Sequence, residues 1–236
     1  MSINILHLFP ELLSLYGERG NVEILKKTLE DNGCTVNVTF AEEVPSFDGF
    51  DFIYIGSGTE NAVIEAGKRL SAFSKEISQA IENSIFLATG NAMSLFGKEI
   101  SDGKDVFPTA NIFDFRTELK TEKRFLGDVI SSENNIFSSS VVGFINTSSV
   151  YTGISFPAFE LRLNPTLGND KEVGLDGLIS GNFYATQLIG PFLVKNPAAL
   201  EFFAAKLANK QISFASDSYI VKAYETAASE LSKRLS

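Results

Sequence analysis

A single cysteine, a single histidine and no tryptophan occur among the 236 residues. A disulfide framework needs cysteines in pairs, and a Cys/His zinc site needs about four ligands, so neither a staple nor a metal centre is expected, and no cofactor motif replaces them. Positive charge is also scarce. Twenty Lys and Arg against 29 Asp and Glu leave a formal net charge of −9, which repels phosphate backbones and argues against a nucleic-acid partner. No uninterrupted apolar run reaches the ~18 residues of a spanning helix. The opening MSINILHLFPELL lacks the basic n-region and small-residue cleavage site of a secretory signal. These absences point to a cytoplasmic protein without a membrane span. Its length suits one domain over residues 1–236, because a chain of this size still buries a single core, and no Pro/Gly-rich linker divides it.

What is present alternates between two kinds of segment. Ile3–Phe9, Cys34–Phe40, Asp51–Ile55 and Ser84–Thr89 are short β-type runs. Between them, Val22, Leu25, Thr28 and Leu29 form a helical stripe over Asn21–Asn32. A second stripe of Val63, Gly67, Leu70, Phe73, Ile77 and Ile81 reads as one helix from Glu60 to Asn83. Strand–helix–strand alternation predicts an α/β fold with a doubly wound, mostly parallel sheet flanked by helices. Residues 100–165 differ: they are rich in Ser, Thr, Asn and Phe, and the runs Val141–Ile145 and Phe159–Leu163 predict an antiparallel extension in mid-chain. Asn196-Pro197 reads as an N-cap with Pro at the first helical position. A last amphipathic helix carries Ile220, Tyr224, Ala227, Leu231 and Leu235 on one stripe.

Sites in such sheets form beyond the carboxyl ends of the strands. Gly56-Ser57-Gly58 follows DFIYI there, and its bare amides can form an anion-binding concavity or an oxyanion hole, or can simply end a strand. SIFLATGNAMSLFG has the build of a nucleophile elbow, but its apex is Gly90, flanked by the hydroxyls of Thr89 and Ser94, neither of which occupies the apex. A base placed just before Gly190-Pro191 would overlook the sheet; the residue is Ile189. His7 and Cys34 lie near opposite ends of neighbouring strands, roughly 15 Å apart at ~3.3 Å per residue, too far for a catalytic pair. Cys34 reads as a small buried hydrophobe and His7 as a hydrogen-bonded structural histidine. Glu11, Glu18 and Arg19 read as a helix-start cap and surface charge. Arg124 can clamp a carboxylate through its planar fork, or can be a solvated surface cation.

HLFPELLSLYGERGNVEILKKTLEDNG, FIYIGSGTE, the elbow, VGFINTSS, LGNDKEVGLDG and LIGPFLVKNP follow one another along the chain. In that order they resemble the class I glutamine amidotransferases of the cobyric-acid-synthase type. Within that family the likeness is strongest to the glutaminase subunits of lipid II isoglutaminyl synthases, which work beside a Mur-ligase-like subunit. The resemblance implies a glutaminase fold, an elbow Cys and a His before the Gly-Pro, and ammonia delivered to a partner synthetase that consumes the ATP. Here Gly90 stands in place of the Cys and Ile189 in place of the His. Asn91-Ala92 replaces a Gly-Gly, and Thr147 replaces a further His. Gly56-Ser57-Gly58 matches the oxyanion turn, Arg124 falls where an Arg is implicated in holding glutamine, and Glu18 falls where an Asp often lies near the dyad. No catalytic residue remains on these positions. The ligand-binding candidates are Gly56, Ser57, Gly58, Asn91 and Arg124, and the ligand is glutamine or another carboxylate. The expectation is a degenerate amidotransferase-like subunit that binds or regulates a Mur-ligase-like synthetase. The alternatives are a carboxylate-binding module or, with rebuilt chemistry, a working glutaminase.

Overall fold

The computed structural model describes residues 1–120 and 122–235. From the N-terminus, β1 (Ser2–Leu8), α1 (Arg19–Asp31), β2 (Thr35–Ala41), β3 (Phe52–Ile55), α2 (Glu60–Leu70), α3 (Ser74–Asn83) and β4 (Ile85–Thr89) alternate as the pattern predicts. The middle contributes β5 (Glu99–Ser101), β6 (Val106–Phe107), β7 (Arg116–Leu119), β8 (Phe125–Ile130), β9 (Val142–Thr147), β10 (Ser149–Thr152), β11 (Phe159–Glu160) and β12 (Leu175–Asp176). The chain closes with β13 (Leu178–Ser180), β14 (Phe183–Thr186), α4 (Phe192–Lys195), α5 (Pro197–Ala208) and α6 (Tyr219–Ser232).

The principal sheet has the order β13-β14-β4-β3-β1-β2, parallel except for the β13–β14 hairpin at one edge. Alternation along each strand divides its side chains between two cores. Ile3, Ile5, Phe52, Tyr54, Ile85 and Leu87 face α1 and α5. Leu6, Leu8, Ile53, Ile55, Phe86 and Ala88 face α2 and α3. Covering both faces explains why β3 and β4 are buried at every residue and read as continuous apolar runs. The edge strand β2 keeps a wetter alternation.

Three local expectations are corrected. The helix expected from Glu60 to Asn83 breaks at a 3-10 turn over Ser71–Phe73, where Ser71 Oγ donates to the Lys68 carbonyl at 2.8 Å and Ser74 Oγ to the Ala110 carbonyl. Hydroxyls that bond the backbone compete with helix continuation, and the apolar stripe does not register that competition. Asn196 precedes α5, but its side chain makes no cap; it bonds Val142 N–H at 2.8 Å and the Val142 carbonyl at 3.0 Å, tying α5 to β9. The mid-chain extension is antiparallel in the β8–β9 and β11–β12 pairs, but its four-stranded sheet, β10-β7-β5-β6, contains one parallel pair, β5–β7. Among the described residues no helix is long and apolar enough to cross a membrane.

Candidate functional site

Strands β1, β3, β4 and β14 end side by side, and the segments leaving them form the crest of the sheet. Gly90 opens the 3-10 turn after β4 with φ +63°, a left-handed conformation that glycine adopts without penalty. Ile189 lies directly against it, held by a hydrogen bond from its N–H to the Phe144 carbonyl at 3.0 Å. A Cβ on Gly90 would stand 2.8 Å from Ile189 Cγ2 and 2.5 Å from Ser57 Cβ. The elbow therefore meets the residue before Gly190-Pro191, as the sequence order suggests, but the space a side chain would fill is taken. Gly90, Ser57 and Ile189 are all buried.

Beneath the apex lies a buried polar cluster centred on Glu18. One carboxylate oxygen accepts from Ser57 Oγ at 2.6 Å; the other accepts from Thr89 Oγ1 at 2.6 Å and from the Tyr54 hydroxyl. Asn21 Nδ2 donates to the same phenol at 2.7 Å, and Asn21 Oδ1 accepts from Leu193 N–H at 2.7 Å. Burial and the adjoining Glu18 carboxylate push the Tyr54 hydroxyl well above the ordinary phenol range. Glu18 is thus not a surface charge: it stands at the N-cap of α1, as expected, but it is fully buried and its side chain makes no cap hydrogen bond. Three hydroxyls from two other strand ends satisfy it, as a buried carboxylate without a cation requires. Gly56 is the counterpart of this arrangement, since a Cβ there would come within 2.6 Å of Glu18 Cβ.

Asn91, next to the apex, folds back on the Gly56–Gly58 turn. Its Oδ1 accepts from Gly58 N–H at 3.1 Å and its Nδ2 donates to the Gly58 carbonyl at 2.7 Å. The Gly58 amide is therefore already occupied by a carboxamide of the chain itself. Asn91→Ala should lose both bonds and cost about 1–2 kcal/mol of stability in urea denaturation. An unchanged midpoint would show that the pair contributes nothing.

Arg124 occupies a different position, half-exposed on the rim of a cleft of about 390 Å³. Its Nη1 meets Glu60 Oε1 at 2.9 Å and its Nε donates to Asn146 Oδ1 at 2.7 Å; Ser148 Oγ also donates to Glu60, and Asn146 Nδ2 donates to the Tyr16 hydroxyl. Glu60 begins α2 just after the Gly56–Gly58 turn, so the guanidinium is tethered to the helix start that follows that turn. Thr147 accepts from Ser149 N–H, and Ser94 donates to the Tyr151 hydroxyl. Both are buried in structural contacts.

His7 and Cys34 stay apart, because β1 and β2 run parallel with His7 opposite Phe40 and Ser2 opposite Thr35. Cys34 is half-buried against the core rather than enclosed. His7 is fully buried, and among the described residues neither ring nitrogen has a hydrogen-bond partner. It packs edge-on against Tyr54 with ring centroids 5.1 Å apart. The expectation of a hydrogen-bonded histidine is overturned, and desolvation lowers its pKa to about 4. Tyr54 and Asn21 are the members of the crest that sequence reasoning missed. The only available signal was a hydroxyl in an otherwise apolar strand and an Asn in the first turn of an amphipathic helix.

Residues 4–197 match the profile of the CobB/CobQ-like glutamine amidotransferase domain. The chain is 28% identical to "Lipid II isoglutaminyl synthase (glutamine-hydrolyzing) subunit GatD" of Staphylococcus aureus (strain N315), over 89% of this chain and 86% of the relative. To the protein of the same name in Streptococcus pneumoniae (strain ATCC BAA-255 / R6) it is 27% identical, over 82% and 76% of the two chains. Two solved structures share the fold. The glutaminase domain of Trypanosoma brucei CTPS with bound acivicin superposes with a TM-score of 0.56 at 13% identity, covering 92% of this chain and 98% of that one. A crystal structure of a glutamine amidotransferase gives 0.53 at 15% identity, covering 86% and 98%.

Proposed function

This chain belongs to the CobB/CobQ-like glutamine amidotransferase family, and from that premise we propose that it is a subunit that has given up glutamine hydrolysis and serves a Mur-ligase-like synthetase as a binding or regulatory partner in the amidation of a cell-wall precursor, in the cytoplasm. The observation that carries this reading is the closed apex. With a nucleophile absent at Gly90, a base absent at Ile189, and Ser57 and Ile189 within contact distance of the missing Cβ, the chemistry has neither its groups nor their space. Losing members of a catalytic unit costs on the order of 10⁶ in turnover in a comparable hydrolytic triad. Ser57 and Glu18 form a hydroxyl–carboxylate pair, but one sealed beneath the crest. An apolar Ile189 also disfavours a charged intermediate.

Co-expression with a Mur-ligase-like synthetase tests the partner role. A stable stoichiometric complex on size exclusion is expected; two separate peaks at micromolar concentration would exclude it. A second reading, a site for glutamine or another carboxylate, is favoured by Arg124 at the rim of its cleft. Calorimetry decides it. Under this reading glutamine gives saturable heat that Arg124→Ala abolishes, and absence of heat in the parent protein eliminates it.

A further inference from the structure

A second concavity, sharing no lining residue with the Arg124 cleft, runs between α6, α4 and the β8–β9 hairpin. It encloses about 400 Å³, within the range of ~300–1,000 Å³ typical of small-molecule sites. Val142, Val194, Ala223, Ala227 and Leu231 supply an apolar wall. Most of its polar groups are already matched. Asp128 pairs with Arg234 at 2.6 Å, Glu230 with Lys233 at 2.5 Å, and the Tyr224 hydroxyl donates to the Ser140 carbonyl at 2.8 Å. Lys195 is the exception. Its ammonium reaches one acceptor, the Ile189 carbonyl at 3.5 Å, and makes no ion pair among the described residues. The side chain is nonetheless half-buried, and desolvation lowers its pKa against the opposing pull of Asp128. An ammonium has three donors, and withdrawing a cation from water without an anion is costly.

We propose that this groove is a binding site for a small amphipathic carboxylate, with the acid group on Lys195 and the apolar tail along the Val142–Leu231 wall. A single unpaired ammonium compensates one negative charge. A dianion such as a phosphate monoester would carry a second charge toward the carboxylates of Asp128 and Glu230. The aliphatic wall explains why the tail is apolar: each exposed methylene it covers gains hydrophobic transfer energy. Its anchor touches the crest only through the Ile189 carbonyl, and the site does not depend on the partner assigned above.

Octanoate is the probe, titrated by calorimetry into the full chain, with octanol as its uncharged counterpart. Octanoate is expected to bind one saturable site. Lys195→Met should weaken it roughly tenfold or more, as loss of a charge-assisted contact implies, while leaving octanol unaffected. Ala223→Phe, at an exposed position on α6, should block octanoate without disturbing the fold. Absence of saturable octanoate binding to the parent protein would overturn the proposal. So would equal affinities in the parent and in both variants, each verified as folded by circular dichroism.

Discussion

Gly90→Ala is expected to lower the unfolding free energy by roughly 2–5 kcal/mol. Two effects add. A residue with a Cβ at φ +63° sits in the left-handed region at a cost of about 1–2 kcal/mol. The new methyl carbon also meets Ser57 Cβ at 2.5 Å and Ile189 Cγ2 at 2.8 Å, and overpacking of a well-filled core typically costs about 1–3 kcal/mol more. Urea denaturation of a double-mutant cycle separates the two. In a Ser57→Gly background part of the steric loss should disappear and the backbone cost should remain, giving a non-additivity of neighbouring sites. Equal penalties in both backgrounds would show that the Ser57 contact is not limiting. The same crowding bears on restoration. Gly90→Cys with Ile189→His is expected to recover little ammonia release, because Ser57 remains against the apex and the Asn91 carboxamide still holds the Gly58 amide. Robust turnover by that double variant would contradict this expectation.

The second large effect belongs to His7 and acid. Its pKa is about 4 in the folded protein and about 6.5 in an unfolded chain, so the native state holds the neutral ring. Above pH ~6.5 both states are neutral and His7 costs nothing. As pH falls from ~6.5 toward 4 the unfolded chain takes up a proton that the native core refuses, and stability is lost at up to about 1.4 kcal/mol per pH unit, to a total of about 3 kcal/mol. His7→Phe removes the titrating group while keeping a ring against Phe40 and Tyr54. The measurement is the difference in unfolding free energy between parent and variant from pH 7.5 to 4. It should be flat above ~6.5 and move in favour of the variant below it. Parallel curves would mean that His7 titrates normally or finds a partner.

How far the fold could be read from sequence depends on the kind of signal. β3 and β4 were legible because strands covered on both faces must be apolar at every residue. α1 and α6 were legible from their stripes. The break at Ser71–Phe73 was not, because hydroxyl-to-backbone bonds leave the hydrophobic period intact. The same limit applies to the crest. Gly90 and Ile189 stood out because each follows a β-type run, at the carboxyl end where sites form in such sheets, and because the resemblance places a Cys and a His there. Glu18 misled because a carboxylate is usually solvated; its burial rests on hydroxyls 36, 39 and 71 residues away, a convergence that exists only after folding. His7 misled for the converse reason: no partner was in view, and the fold supplied aromatic rings in place of a hydrogen bond. Asn91 was visible as a departure from Gly-Gly, but its bidentate hold on Gly58 required the turn and the elbow to meet.

Ammonia release from glutamine, followed with the purified chain alone and in complex with a Mur-ligase-like synthetase, bears on the closed apex without intermediate assumptions. The proposed loss of hydrolysis requires a rate indistinguishable from the protein-free control in both cases, and no glutamyl adduct on the intact protein by mass spectrometry. Sustained ammonia release that depends on the chain, or a covalent glutamyl species on any of its side chains, would contradict it.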